Sequence, residues 1–393
     1  MRSVLIASYD MEIGGVERSL ASMLNNFDYE NNRVDLILYN HTGPFLQYIP
    51  KDVNLLPQNR VYSTIRKGIR EIACTGMPRI ALARFRAKTM GKLGLKKGFD
   101  DTYQMQLMWR YCKKYFRKVE KKYDVAISYL WPHDFILDKV DARVKIAWIH
   151  TDYSKINPDR ELDLKIWKRY DYIVAVSEEC LNSFLKIYPT LEEKCRVIEN
   201  ITSPKFIKEM SLKNSEKIPF EEENFNLLSV ARFSYAKGID QGIEALRILK
   251  KKGYDDIKWY VVGYGGDEEE IKKLIEIYSL GSNFILLGKK ENPYPFMKNC
   301  DLYVQPSRYE GKAVTVTEAQ ILGKPVLITN YPTASSQVKD GVDGIICELS
   351  PEGLADEIES LYNDRERLKK IERHCEKVDF SNQKELEKLY ELF

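Results

Sequence analysis

The stretch Leu302-Tyr-Val-Gln305-Pro-Ser-Arg-Tyr-Glu310-Gly-Lys-Ala-Val-Thr-Val-Thr-Glu318 predicts a strand, a tight turn and a helix in immediate succession. The apolar run 302–305 is typical of a buried strand, and Gly311 permits the turn that follows. The first helical amides, near residues 313–315, have no partner within the helix and suit a diphosphate. A strand that leads into a helix in this way is the repeating unit of a parallel sheet.

The same alternation continues on both sides of this stretch. The predicted strands are Ser3–Ser8, Val34–Leu38, Val125–Ser128, Ile146–His150 and Ile173–Ser177 in the first half, and Leu227–Ala231, Trp259–Val262, Ile285–Leu287, Leu302–Gln305, Val326–Thr329 and Gly344–Ile346 in the second. Helical patterns lie between most of them, which indicates a mainly parallel sheet covered on both faces. The predicted fold class is therefore α/β, with two Rossmann-like doubly wound domains facing each other across a cleft.

The chain has 393 residues, too many for one ordinary core. We place the linker in the polar stretch 200–224, which lacks clear periodicity. The predicted domains are 1–203 and 204–375. A basic helical insert occupies 60–122 of the first domain, and we expect a last helix within 376–393 to pack back on that domain.

Hydrophobic residues make up 44% of the chain and charged residues 30%, the balance of an ordinary globular protein. The seven cysteines are scattered and form no C-x-x-C pair, so we expect a reducing compartment and no metal site. Residues 1–8 enter a strand-like run without the features of a signal peptide, and no apolar stretch approaches the ~20 residues that span a bilayer. These features predict a cytoplasmic protein.

Positive charge is concentrated in one part of the chain. Residues 60–122 hold 18 Lys and Arg against four acids, whereas the rest of the chain has a net charge of −11. Within 60–97 the basic residues alternate with large apolar ones, a pattern that suits an anionic membrane surface. The alternative is a solvated basic surface without a partner.

Two charged clusters are the candidate site. Glu310 precedes the predicted helix and Glu318 lies about one turn into it, so the pair can straddle a phosphate-binding helix start. One carboxylate could accept hydrogen bonds from sugar hydroxyls and the other from ribose hydroxyls. Arg232 and Lys237 follow the first strand of the second domain and could neutralise a diphosphate leaving group. The alternative interpretation of each cluster is an ordinary charged surface.

Three features of the first domain are weaker candidates. Gly14-Gly15 lies between a strand and a helix and allows close approach of a ligand to the backbone, although a plain turn would look the same. His150 ends a predicted strand at the edge where such sheets bind ligands, although a lone histidine is usually structural. His133 follows Trp131-Pro132 and has less support.

Several other classes of protein lack support in the sequence. There is no D-x-D motif, no Walker A sequence and no complete G-x-G-x-x-G after the first strand. These absences argue against a kinase, a GTPase, a typical dinucleotide oxidoreductase and a metal-dependent transferase of the GT-A type.

Taken together, the motifs resemble glycosyltransferase family 4, the retaining enzymes of the GT-B architecture. The E-x7-E signature of that family matches Glu310 to Glu318, and the match extends through Gly323-Lys-Pro325-Val and Asp340-Gly-Val-Asp-Gly344. The resemblance covers nearly the whole chain and is weakest in 60–122. One departure is Gly311-Lys312-Ala313, where many members have Gly-Phe-Gly, so contacts to the donor sugar could differ there.

The resemblance assigns roles to individual residues. It implies that Glu310 and His150 are catalytic, with His150 near the reacting centre of the donor sugar. It implies a nucleotide-sugar site formed by Gly14, Gly15, Arg232, Lys237, Gly311, Lys312, Ala313, Val314 and Glu318. It implies no metal and no cofactor beyond the nucleotide-sugar co-substrate, with a UDP-sugar favoured over a GDP-sugar by what is common among relatives.

By resemblance, the protein transfers a sugar with retention at the anomeric carbon, in the synthesis of a bacterial capsule, exopolysaccharide or teichoic-type polymer. We expect a lipid-linked or polymer glycan acceptor, peripheral attachment to the inner face of the plasma membrane through residues 60–122, and no nucleic-acid partner. The alternatives are a nucleotide-sugar epimerase or phosphorylase on the same fold, or a non-catalytic scaffold that binds polyanions.

Overall fold

The computed structural model describes residues 1–12, 14–95, 98–213, 217–310 and 312–393. It divides into two compact units. The first unit is Met1–Ile201 together with Asn382–Phe393, and the second unit is Thr202–Ser381. The predicted boundary between residues 203 and 204 thus lies close to this division, whereas the end of the chain belongs to the first unit.

The first unit contains a seven-stranded parallel sheet. Its strands are β1 (Arg2–Ser8), β2 (Asn32–Leu38), β3 (Asn54–Leu55), β4 (Lys122–Ser128), β5 (Asp141–Ile149), β6 (Tyr172–Ala175) and β7 (Cys195–Val197). Its helices are α1 (Gly15–Asn25), α2 (Ile69–Cys74), α3 (Pro78–Leu95), α4 (Asp101–Cys112), α5 (Asp134–Lys139), α6 (Arg160–Trp167) and α7 (Glu178–Leu185). The strand order is β3-β2-β1-β4-β5-β6-β7, so the direction of winding reverses between β1 and β4.

The second unit contains a six-stranded parallel sheet. Its strands are β8 (Phe225–Val230), β9 (Ile257–Val262), β10 (Phe284–Gly288), β11 (Leu302–Gln305), β12 (Val326–Thr329) and β13 (Ile345–Cys347). Its helices are α8 (Pro204–Leu212), α9 (Ile239–Lys251), α10 (Glu268–Ile277), α11 (Tyr294–Asn299), α12 (Val314–Ile321), α13 (Ala334–Gln337), α14 (Pro351–Asn363) and α15 (Arg365–Cys375). The strand order β10-β9-β8-β11-β12-β13 reverses between β8 and β11. Ligands of such sheets bind at the carboxyl ends of the strands where the order reverses.

The predicted strands are confirmed, with ends that shift by a few residues. Those at 302–305 and 326–329 have the predicted bounds. Their residues are fully buried, because a parallel sheet covered on both faces favours continuous apolar runs over alternation. The two edge strands β3 and β7 were not predicted, since they are only two and three residues long and lack such a run.

The linker prediction for 200–224 was wrong for residues 204–212, which form helix α8 of the second unit. Ser203 caps this helix by accepting a hydrogen bond from the Phe206 amide, and Pro204 occupies the first turn, where a missing amide hydrogen costs nothing. Phe206 packs against the ring of Tyr294. The burial of this short apolar face stabilises the helix, although the composition of the stretch 200–224 is polar.

The last helix, α16 (Lys384–Tyr390), packs on the first unit. The Asp28 amide donates to the Tyr390 hydroxyl at 2.8 Å, and the Tyr390 ring meets the edge of Phe27. The Glu199 amide donates to the carboxylate of Glu385 at 2.9 Å. The chain therefore returns to the first unit after completing the second.

The basic insert folds into α2, α3 and α4, and Lys96 and Lys97 lie outside the described residues. Helix α3 turns its small residues toward α4: a Cβ atom on Gly91 would lie 2.8 Å from the Gln104 Cβ, and one on Gly94 would lie 2.3 Å from the Tyr103 ring. Ile80 is buried, whereas Leu82, Phe85 and Leu93 of α3 are exposed on its outer face. Among the residues that the structure describes, no helix is both long and apolar enough to cross a membrane.

Candidate active site

Two loops meet where the winding of the second sheet reverses. One follows β8 and contains Arg232 and Lys237, and the other follows β11 and leads to α12. Gly238 ends the first loop with a positive φ of 63°, and a Cβ atom there would lie 1.9 Å from the carbonyl oxygen of Pro306. Only glycine allows this approach, which brings the two loops into backbone contact.

Lys237 and Glu310 form an ion pair between these loops. The Lys237 ammonium donates to both carboxylate oxygens of Glu310, at 2.7 and 2.6 Å. The carboxylate is buried, with 6% of its side chain exposed, whereas 30% of the lysine side chain is exposed. The positive charge therefore remains open to a ligand while the negative charge beneath it fixes its position.

The two carboxylate oxygens of Glu310 accept different numbers of hydrogen bonds. Oε1 accepts from Lys237, from the Ser307 hydroxyl at 2.6 Å and from the Gln305 amide at 3.1 Å. Among the described residues, Oε2 accepts only from Lys237. An ionised carboxylate has about four acceptor positions, so Oε2 has capacity for a further donor such as a sugar hydroxyl.

Arg232 lies on the same loop as Lys237 and is exposed. It forms no hydrogen bond or ion pair with any residue that the structure describes. By contrast Arg308, on the opposite loop, is held by both carboxylate oxygens of Asp240, at 2.7 and 2.5 Å. Arg232 is therefore the guanidinium of these loops that remains available to an anion.

Some backbone groups at the start of α12 already have hydrogen-bond partners. The amide of Ala313 donates to the Gln337 side chain at 3.0 Å, and its carbonyl accepts from the same side chain at 2.6 Å. The amides of Val314 and Thr315 come next, at the start of the helix, where amides lack helical partners. Lys312 is exposed beside them, and Gly311 lies outside the described residues.

Glu318 lies within α12 and is 2% exposed. One of its oxygens accepts a hydrogen bond from the Tyr294 hydroxyl at 2.7 Å. Burial raises the pKa of Tyr303, and the charges of Glu318 and Glu310 raise it further, so both carboxylates lie within electrostatic reach of one phenol. The fold thus brings the two predicted glutamates to one region, with Glu318 the more enclosed.

In the first unit, Gly14 and Gly15 precede and begin helix α1, as expected of the strand–turn–helix pattern. The carboxylate of Glu17 folds back over this helix start: a Cβ atom on Gly14 would lie 2.1 Å from it, and the Glu17 carboxylate faces its own amide. A phosphate would have to displace this carboxylate to reach the amides, and the role of the two glycines stays a prediction.

His150 follows β5 directly. Burial lowers its pKa to about 4, so the ring is neutral at pH 7, and a hydrogen bond to the Tyr129 backbone offsets part of this effect. Its Nε2 atom is buried without a hydrogen-bond partner among the described residues. His133 differs, because its Nδ1 pairs with the Ser128 hydroxyl at 2.9 Å, and burial, together with His150, lowers its pKa to about 3.

Sequence reasoning missed four polar side chains that position the candidate residues: Gln305, Ser307, Tyr294 and Gln337. A glutamine at the end of the apolar run 302–305 was the available signal, because a buried amide needs a partner. The Gly263-Tyr-Gly265-Gly266 turn has a packing role: Cβ atoms on Gly263 and Gly265 would lie 1.9 and 2.2 Å from the carbonyl oxygens of Ala231 and Phe233. Within the described residues, no group of three or more His, Cys, Asp or Glu could hold a metal ion.

Part of the chain is similar to known proteins. Residues 211–378 match the family model described as "Glycosyl transferases group 1". The chain is 28% identical to the capsular polysaccharide biosynthesis glycosyltransferase CapM of Staphylococcus aureus, over 63% of this chain and 72% of that protein. Other curated relatives, such as an uncharacterized glycosyltransferase of Methanocaldococcus jannaschii at 33% identity, align over about half of both chains.

Solved structures extend the likeness to the whole fold. The crystal structure of Anabaena HepE in complex with UDP and glucose has a TM-score of 0.61 at 17% identity, covering 100% of this chain and 99% of that one. A mutant of Staphylococcus aureus TarM, in complex with fondaparinux, alpha-GlcNAc-glycerol and UDP, has a TM-score of 0.65 at 15% identity, with the same coverage. The segment that matches the family model thus carries the paired and unpaired charges at the reversal of its sheet, and the chain shares the GT-B fold of these solved structures.

Proposed function

We propose that the protein is a retaining glycosyltransferase that moves a sugar from a UDP-sugar to a lipid-linked or polymer glycan acceptor in bacterial cell-surface polysaccharide synthesis. The observation that carries the proposal is the Lys237–Glu310 ion pair, with Arg232 unpaired on the same loop. Lys237, which binds Glu310 shortly before α12, and Arg232 on the same loop supply two cations that suit a diphosphate, and the open position on Glu310 Oε2 suits a sugar hydroxyl. The names of CapM and of the Erwinia amylovora amylovoran biosynthesis glycosyltransferase AmsK support the polysaccharide role.

For the chemistry we favour a front-face route. The bond between the anomeric carbon and the departing diphosphate breaks as the acceptor oxygen bonds to the same face of that carbon. The acceptor proton passes to the departing phosphate oxygen. Arg232 and Lys237 neutralise the charge that develops on the diphosphate, and this stabilisation is the main contribution of the protein. Glu310 orients the sugar and holds Lys237 in place, and Glu318 accepts from the ribose.

The donor is identified by a thermal-shift screen of UDP- and GDP-sugars, because a ligand of the folded state raises its stability. We expect UDP-sugars to give the larger shift, and NMR of the product to show the donor's anomeric configuration. Formation of an epimer or a sugar phosphate from donor without acceptor would favour the rival epimerase or phosphorylase. Inversion at the anomeric carbon, or a glycosyl adduct trapped on a protein carboxylate, would contradict the proposed chemistry.

The outer face of α3 supports cytoplasmic peripheral attachment to an anionic membrane. Leu82 and Phe85 are 69% and 58% exposed, and Leu93 continues the same face. Basic residues of the helix, among them Arg86 and Lys92, surround this apolar strip. Apolar side chains that insert and cations that meet lipid headgroups are the two requirements of an interfacial helix.

Sedimentation with vesicles tests this attachment. The double substitution Leu82→Ser with Phe85→Ser removes exposed apolar surface only, and we expect it to weaken binding to phosphatidylglycerol vesicles about fivefold or more with an unchanged Tm. Ile277→Ser is the matched control, since Ile277 is 70% exposed on α10 of the second unit. Wild-type protein that stays in the supernatant with these vesicles would rule the attachment out.

A further inference from the structure

The first unit contains a cavity of about 160 Å³ at the carboxyl ends of β4 and β5. Its walls come from the loops after these two strands and from helices α4 and α6. The reversal of the first sheet lies beside β4, so the cavity is at an edge where sheets of this kind bind ligands. Of the described residues that the sequence assigns to the donor site, only His150 lines it.

Three tryptophans line this cavity: Trp131, Trp148 and Trp167. Trp167 is fixed, because its indole donates to the buried Asp163 carboxylate at 3.0 Å, and the same carboxylate accepts from Tyr188 at 2.8 Å. Pockets for small molecules combine such preformed aromatic walls with a few placed polar groups. Flat apolar rings of this kind offer a surface to the C–H face of a sugar.

The polar atoms of the cavity require a hydroxyl-bearing occupant. Nε2 of His150 is buried and has no partner among the described residues, and the neutral ring presents it as an acceptor. Asp134 also lines the cavity, where burial and then the charge of Asp138 raise its pKa to about 7. A carboxyl group that titrates there can donate or accept, so both groups suit an alcohol.

The charges of the lining exclude a phosphate. Among the described residues no lysine or arginine lines this cavity, and the carboxylic acids in its lining are Asp134 and Asp163. A phosphate would meet these two carboxylic acids with no cation in the described lining, since Arg169 and Lys113 act on Asp134 from outside it. Gln106, which also lines the cavity, makes two hydrogen bonds to the backbone of Asp159. The occupant is therefore uncharged, and the volume suits a single ring.

We infer that this cavity binds an uncharged sugar ring of the acceptor, held between the tryptophans with a hydroxyl on His150. The inference rests on the proposed transferase function and adds the class of acceptor group. The acceptor would end in a neutral hexose or N-acetylhexosamine, and a phosphorylated end would not enter.

Intrinsic fluorescence tests the inference without any activity assay, because three of the five tryptophans line the cavity. The full chain is titrated with methyl glycosides of neutral hexoses and N-acetylhexosamines, with glucose 6-phosphate and with 1-octanol. We expect at least one methyl glycoside to change the emission saturably, with at least tenfold weaker effects of glucose 6-phosphate. Equal binding of the phosphate, binding of octanol in place of glycosides, or no response to any glycoside would overturn the inference.

Two variants locate the binding. Ile166→Phe fills the cavity from α6 and should abolish the glycoside response, whereas Lys165→Phe on the exposed side of the same helix should preserve it. The titration is repeated with saturating UDP-glucose or UDP-N-acetylglucosamine, chosen by thermal shift. Unchanged glycoside affinity supports an acceptor group, and competition would show instead that the cavity holds the sugar of the donor. Because nucleotide-sugar binding is read separately, failure here leaves the proposed donor site standing.

Discussion

The carboxyl ends of the two sheets differ in the charged side chains that they present. In the second unit, buried Glu310 is paired with half-buried Lys237, and the hydrogen bonds of Ser307 and Gln305 fix the pair. In the first unit, the cavity beside β4 has aromatic walls and a neutral histidine without a partner. Two sheets with the same strand order thus present different chemistry: the loops of the second unit present two cations, and the described lining of the cavity in the first unit contains none. The difference lies in the ends of the strands and in the loops and helices that follow them, since the order of the strands is the same.

The charged site of the second unit is tested most strongly by a substitution of Glu310. Glu310→Gln keeps the shape of the side chain but removes the charge that holds Lys237 and the oxygen proposed for the sugar hydroxyl. We expect the rate of sugar transfer to fall about 100-fold or more, as when a preorganised electrostatic contact is lost. Initial rates with a saturating UDP-sugar, and the circular dichroism of the variant, measure the effect.

Glu244→Gln is the matched control for that change. Glu244 lies on α9 of the same unit and pairs with Arg247 at 2.8 Å, away from the two loops. Its substitution should leave the transfer rate within about twofold, because this partly buried pair lies away from the two loops. Full activity of the folded Glu310→Gln variant would remove Glu310 from the chemistry.

Lys237 and Arg232 are both cations of the proposed diphosphate site, but only one has a structural partner. Lys237→Ala leaves the buried Glu310 carboxylate without its cation and should lower the free energy of unfolding by about 2 kcal/mol, a value reduced for the exposure of the lysine. Arg232→Ala breaks no contact with the described residues and should leave that free energy unchanged. Urea unfolding of the two variants measures this difference.

The same two variants should agree in their binding of nucleotide. We expect UDP to bind each about tenfold more weakly, because each loses one charge-assisted contact to phosphate. Isothermal titration calorimetry with UDP tests this result. An Arg232→Ala variant that unfolds like Lys237→Ala would show that the arginine is structural.

The two sites also differ in how far the sequence predicts them. Apart from the short edge strands β3 and β7, the strands and the loops of Arg232, Lys237 and Glu310 follow from apolar runs, turn residues and isolated charges, which are local signals. The cavity of the first unit is formed by apolar residues from four separate segments. Trp148 and Trp167 are almost fully buried, so the sequence describes them equally well as core. Only the tertiary fold shows that they leave a space, and only hydrogen-bond geometry shows that Glu318 is enclosed by Tyr294.

The cavity of the first unit is tested through Asp134, whose effect on the stability of the protein should depend on pH. Its folded pKa of about 7 lies above the ordinary value of 3.8, so the folded state keeps a proton that the unfolded chain releases. Stability contributed by the protonated group is therefore present at low pH and falls as the pH rises from about 4 to 7. Asp134→Asn cannot ionise and should stabilise the protein at pH 8, by about 2 kcal/mol, and have little effect at pH 4.

Thermal unfolding of Asp134→Asn and wild type between pH 4 and pH 8 measures that effect. Asp101→Asn is the matched control, because Asp101 is the first residue of α4 just as Asp134 is the first residue of α5, but it is exposed. Its substitution removes the same favourable charge at a helix start without relieving burial, so we expect no stabilisation at any pH. If the stability of both variants depends on pH in the same way, Asp134 ionises freely in water. The cavity of the first unit would then carry a charge at this residue, contrary to our interpretation.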